Sequence, residues 1–182
     1  MTDTIDNDIL KAFRDKNSRN YAFNLLVKKY QQPIYYHIRR IVIDHDDTDD
    51  LVQNTFIKIF EHLDSFREDA QLYTWIYRIA TNEALAFLRN KRNKFFLPLV
   101  DVEQQLSNSL KDSQFFNGDE IQLKLQKAIL TLPEKQRLVF NMRYYDEMKY
   151  EDMSEVLGTS VGALKASYHI AVKKIEEIVT QD

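Results

Sequence analysis

Asp49–Arg92 reads DDLVQNTFIKIFEHLDSFREDAQLYTWIYRIATNEALAFLRNKR, and this stretch decides the fold. Behind an acidic head, Val52, Phe56, Ile59, Phe60 and Leu63 recur at three- and four-residue steps, the spacing of one buried helical face. Asp64–Ala70 is polar and reads as a loop. The spacing then predicts a longer amphipathic helix over about 71–93. It carries Tyr73, Trp75, Tyr77, Arg78 and Asn82 and ends in the basic run Arg89, Lys91 and Arg92. Aromatic faces stack on bases, an amide offers both a donor and an acceptor to a base edge, and cations hold phosphates. Such a set suits unpaired nucleic acid. A tryptophan among Leu72, Ile76 and Ile79 equally suits a core, so Trp75 carries both readings.

Upstream, Ile5–Lys16 reads as a short helix with Ile9, Leu10 and Phe13 on one face. Ser18 is placed to cap a longer helix through Ile43, with Phe23, Leu26, Val27, Tyr30, Ile34, Ile38 and Ile41 as its stripe. Pro33 inside that run predicts a kink or a break. Four such helices make a compact bundle over residues 1–94. Downstream, periodicity lapses over 95–118, where Pro98, Asn117 and Gly118 stand. Residues 95–120 hold one lysine against five carboxylates. This is the sequence of an acidic flexible linker, roughly 80 Å long if fully stretched. Helical signals return over 119–182: Asp119–Leu130, a helix opened by Pro133, Tyr150–Leu157 stopped by Gly158, and a last one capped by Ser160 and running to about Val179.

Glu151–Glu177, EDMSEVLGTSVGALKASYHIAVKKIEE, has the form of a helix-turn-helix. Ser160, Gly162, Ala163, Lys165, Ala166, Ser167 and His169 fall at the start of the second helix, with Lys173 and Lys174 further on, while Val161, Leu164, Ile170 and Ile175 are placed to pack inward. Small residues there permit close approach to a major groove, and the polar ones reach base edges or phosphates. A plain helical hairpin has the same local pattern.

Composition narrows the class. The chain has 182 residues, 44% of them hydrophobic, with 3 Gly, 3 Pro and no Cys. That favours an all-α fold of two small domains and excludes disulfides and thiolate zinc sites. The N-terminus is acidic rather than signal-like, and no apolar run is long enough for membrane insertion; a cytoplasmic protein is expected. The net charge of −3 leaves neither end strongly basic, so a larger partner must supply part of any grip on DNA. Four scattered histidines and no Gly-rich phosphate loop or nucleophile motif argue against an enzyme, a metal or a cofactor.

Two blocks, DDLVQNTFIKIF…FRED…LYTWIYRIATNEALAFLRNKR and LPEKQRLVFNMRYYDEMKYEDMSEVLGTSVGALKASYHIAVKKI, resemble in order the extracytoplasmic-function class of bacterial RNA polymerase sigma factors. The resemblance implies a partner, core RNA polymerase, docked on the helix holding Asp49, Asp50, Leu51, Gln53, Asn54 and Phe56. It implies that Phe66, Arg67, Tyr73, Trp75, Arg78, Asn82, Arg89 and Arg92 read and open the minus-ten element of promoter DNA. Ser160, Val161, Gly162, Lys165, Ser167, His169 and Lys173 would read the minus-thirty-five element. Family members commonly carry arginines at the positions of Ser167 and Ile170, and this chain has neither. An anti-sigma factor is a further implied partner, and the linker would thread near the RNA path. The alternative is a stand-alone helix-turn-helix regulator with an N-terminal sensing domain, although residues 1–94 lack the α/β alternation of a receiver.

Overall fold

The computed structural model describes residues 4–67, 70–94 and 120–180. Among them are eight α-helices and no strand. They are α1 (Thr4–Arg14), α2 (Arg19–Val42), α3 (His45–His62), α4 (Leu72–Lys94), α5 (Glu120–Leu130), α6 (Glu134–Tyr144), α7 (Tyr150–Leu157) and α8 (Val161–Thr180). A short 3-10 turn, Leu63–Ser65, follows α3. The expected linker, 95–118, lies outside the described residues.

Helices α1–α4 form the predicted bundle. Ile9, Leu10 and Phe13 bury one face of α1 on α2. Asp6 is buried beside them and accepts from the Tyr30 hydroxyl at 2.7 Å and the Lys29 ammonium at 2.8 Å. Phe13, Phe23 and Phe60 pack edge to face or tilted, with the Arg19 guanidinium 4.3 Å from the Phe13 ring centre. Each fully buried side chain of this size contributes about 2–3 kcal/mol of burial. Ser18 stands at the N-cap of α2 but makes no side-chain cap there; its hydroxyl donates to the Ala12 carbonyl at 2.7 Å and ties α1 to α2. Asp44 does cap α3, accepting from the Asp47 amide at 3.0 Å.

The expected break at Pro33 does not occur, because α2 is one helix through it. Pro33 itself is exposed, while its helical neighbours Tyr30 and Ile34 are buried in the bundle and hold the helix together across it.

In the C-terminal unit, Pro133 is the N-cap of α6 rather than its first residue. Gly158 ends α7 at φ 63°, its amide donating to Ser154 at 2.9 Å. The Ser160 hydroxyl accepts from the Ala163 amide at 3.3 Å and starts α8. Ala128, Ile129, Leu132, Phe140, Ala171 and Ile175 form the local core, with Tyr168 stacked on Phe140. The two units also touch. One apolar cluster runs from α1–α4 into Leu138, Met142, Met148, Met153 and Val156, and α7 lies against α4.

Candidate nucleic-acid and partner surfaces

Between α2 and α3 lies an open groove of about 540 Å³, lined by Val27, Gln31, Tyr35, Asp49, Gln53 and Phe56 among others. Asp49, Asp50, Gln53 and Asn54 are exposed, because the acidic head of α3 turns its 3.6-residue period outward there. Phe56 is 7% exposed and forms part of the groove floor, whereas Leu51 sits in the core at 6% exposure. Sequence reasoning missed the other wall, the α2 residues Gln31, Gln32, Tyr35 and Tyr36. Their signal was available: two polar and two aromatic residues off the apolar stripe. Beneath them Arg39 is buried against Tyr35, and burial pulls its guanidinium below the usual pKa, opposed by Tyr35 and Asp44.

The turn before α4 and the helix itself bring most of the expected base-reading set to one region. Phe66 is buried and packs on half-buried Trp75, ring centres 5.2 Å apart, so the Trp75 side chain contributes to the core while keeping part of its surface. Arg67, Arg78, Asn82 and Arg89 are exposed, and Arg92 is half-buried. Tyr73 and Tyr77 lie 4.6 Å apart. Burial, followed by the Asp146 charge, pushes the Tyr73 hydroxyl up to about 12 and Tyr77 higher still, so both stay protonated. Lys91 pairs with Asp47 at 2.9 Å, which turns one cation of the basic run back to α3.

Ser160, just before α8, and Gly162, Lys165, His169 and Lys173 on it are exposed, and Val161 and Ser167 are half-buried. Ile170 is 44% exposed on the same helix. A Cβ added to Gly162 would meet nothing within 4 Å. The fold itself therefore has no steric need for glycine at that position.

The two surfaces differ in availability. The outward side of α8 is open, while the first half of α4 is covered by α7. Gln71 donates to Asp152 at 3.3 Å, Thr74 to Glu155 at 2.8 Å, and the Arg78 guanidinium to the Glu155 carbonyl. Sequence reasoning found none of these pairs, since nothing local marks partners some eighty residues apart.

Among the described residues, no group of three histidines or carboxylates gathers as a metal site, and no helix is long and apolar enough to cross a membrane.

The Sigma-70 region 2 family profile matches residues 26–94, and the Sigma-70, region 4 profile matches residues 122–175. The chain is 31% identical to the RNA polymerase sigma-H factor of Pseudomonas aeruginosa, over 97% of this chain and 95% of that protein. It is 30% identical to the ECF RNA polymerase sigma-E factor of Escherichia coli K12, over 98% and 97% of the two chains. Its fold is similar to that of the sigma factor RpoE solved with the anti-sigma factor NepR from Bartonella quintana, with a TM-score of 0.67, 20% identity and coverage of 88% and 98%. Two sigma-70 regions in order, and full-length relatives at this identity, settle the family: the chain belongs to the extracytoplasmic-function class of sigma-70 factors.

Proposed function

We propose that this chain is a promoter-specificity subunit that joins core RNA polymerase, recognises two promoter elements and promotes melting of the downstream one. The observation that carries the reading is the pairing of both sigma-70 regions with an exposed set of the right chemistry in each. The groove between α2 and α3, lined by Asp49 and Gln53, together with exposed Asp50 and Asn54 on the same helix, is the polymerase-docking surface; Phe56 forms its floor and Leu51 supports it from within. Phe66, Arg67, Tyr73, Trp75, Arg78, Asn82, Arg89 and Arg92 receive the minus-ten element. Extruding a base costs a few kcal/mol, which aromatic stacking and edge hydrogen bonds on α4 offset. Ser160, Val161, Gly162, Lys165, Ser167, His169 and Lys173 meet the minus-thirty-five duplex. Residues 1–94 and 119–182 are the two working units and 95–118 the tether between them.

The protein acts in the cytoplasm without chemistry of its own, and an anti-sigma factor holds it inactive. The relative solved with such a factor, similar in fold, supports that partner. A free-standing regulator is not favoured, because region 2 has no place in such a protein.

The test is co-purification with core polymerase, followed by run-off transcription on genomic fragments. Specific start sites that appear only when the chain is added are the expected result. Failure to join polymerase, or joining without directing any start site, overturns the proposal.

A further inference from the structure

The apolar period of α8 places Ile170 inward, but the structure leaves it 44% exposed. The buried side of the helix runs through Leu164, Ala171 and Ile175. Ile170 stands one residue, about 100° of turn, away from Ala171 and so falls towards the outer side. Exposed Ala166 and Ala163 lie in line with it, about one and two turns back along the helix. A methyl built on the neighbouring Gly162 would meet nothing, so this side is open to close approach.

Polar readers are scarce on the same helix. Residues 161–173 contain no arginine, asparagine, glutamine or carboxylate, the side chains that, with lysine, carry most hydrogen-bonded readout of base edges. Of the nearby lysines, Lys174 is turned back to Gln136 of α6 at 3.2 Å, and the Lys165 ammonium lies 5.7 Å from the Tyr150 ring centre of α7. His169 and Lys173 are exposed beside Ile170, where positive charge would meet phosphates and set the register without reading sequence. What the outer side offers a base edge is mainly carbon.

Thymine alone among the four bases puts a methyl group into the major groove. An isoleucine seated on that methyl removes apolar surface from water on both partners. Set against a C·G pair, the same side chain would cover the cytosine amine and leave it without an acceptor. The contact therefore discriminates in favour of thymine without any hydrogen bond.

We propose that Ile170 is the specificity-determining residue of the minus-thirty-five contact and that it reads the C5-methyl group of a thymine in the major groove, with Ala163 and Ala166 keeping the approach close. This deepens the functional reading of α8 above and rests on it.

The test uses the full chain assembled with core polymerase and duplexes randomised over the upstream element but identical elsewhere. Selection should enrich a T·A pair at one fixed position or more. Replacing that thymine by deoxyuridine deletes its methyl group and nothing else. Competition binding of the two duplexes should show an affinity lower by about fourfold for the wild type, the worth of one buried methyl. In Ile170→Ala the thymine-to-uracil ratio should fall close to one. The ratio is taken within each protein, so any general loss of stability or affinity in the variant cancels. Ile178→Ala, which trims the other exposed isoleucine of α8, should keep the wild-type ratio. A selected element lacking thymine, a uracil substitution without effect, or an unchanged ratio in Ile170→Ala overturns this inference and leaves the proposed function standing. A complex that selects no upstream sequence at all overturns the reading of α8 and this inference with it.

Discussion

Asn82 is exposed on α4 and packs no core, so truncating it tests recognition with little disturbance to folding. Asn82→Ala should slow promoter opening by about ten- to hundredfold, the worth of one good base contact, with polymerase affinity unchanged. Equal loss in permanganate footprinting and in polymerase binding would count against its placement. Asp50→Lys reverses an exposed charge on α3 next to the groove residue Asp49 and should weaken assembly with polymerase while the circular dichroism melt stays put; intact assembly removes Asp50 from the docking surface. Gly162→Ala separates folding from DNA contact. A methyl there meets only open space, so the chain should gain up to about 1 kcal/mol in urea unfolding. It should also lose affinity for the upstream duplex if a phosphate or base comes close; unchanged affinity would show that nothing approaches. At this scale the sequence was readable where one local partner sufficed, as with Ser160, whose hydroxyl caps α8 as its position predicts. It was not readable where a side chain had a choice of partners. Ser18 looks like a cap from its neighbours, yet a carbonyl of the preceding helix takes its hydroxyl.

Helix boundaries were legible to within a few residues, because apolar spacing and stop residues agree. Gly158 is the clearest case: at φ 63° it occupies a conformation that costs other residues about 1–2 kcal/mol. Gly158→Ala should therefore lower stability by about 1 kcal/mol, although no atom crowds the new methyl. A change in thermal melting indistinguishable from zero would mean the turn relaxes. Pro33 shows where a local rule fails. The proline penalty of about 3 kcal/mol applies to an isolated helix, and here buried Tyr30 and Ile34 hold both flanks while Pro33 itself is exposed. The groove was half legible. Its α3 wall stood out through acidic and amide residues, while Gln31, Tyr35 and Tyr36 were hidden inside a helix read only for its apolar stripe.

For the molecule as a whole, two helical units could be read from sequence, but their union could not. His37 and Asp146 are 109 residues apart, and pairing at that separation leaves no periodic trace. The seam also carries a proton-linked strain. Burial first, and then the Glu155 charge, hold the Asp152 carboxyl above its ordinary range, with Lys149 opposing and Glu151 adding to the rise. An acid whose pKa is higher in the folded state opposes folding once it ionises. The penalty is absent below the ordinary carboxylate pKa, grows as pH rises towards the raised value, and is complete above it. Asp152→Asn keeps an acceptor for Gln71 and removes the charge, so its Tm should exceed that of the wild type at neutral pH. The gap should close as the solution is acidified into the carboxylate range; a gap independent of pH would rule out this origin.

The outer residues of α8 are bare while α7 lies across α4. That inequality gives the molecule a direction in time. Under the proposed function a double helix finds the outer side of α8 open, whereas whatever is to lie along Gln71, Thr74 and Arg78 must first displace Asp152 and Glu155.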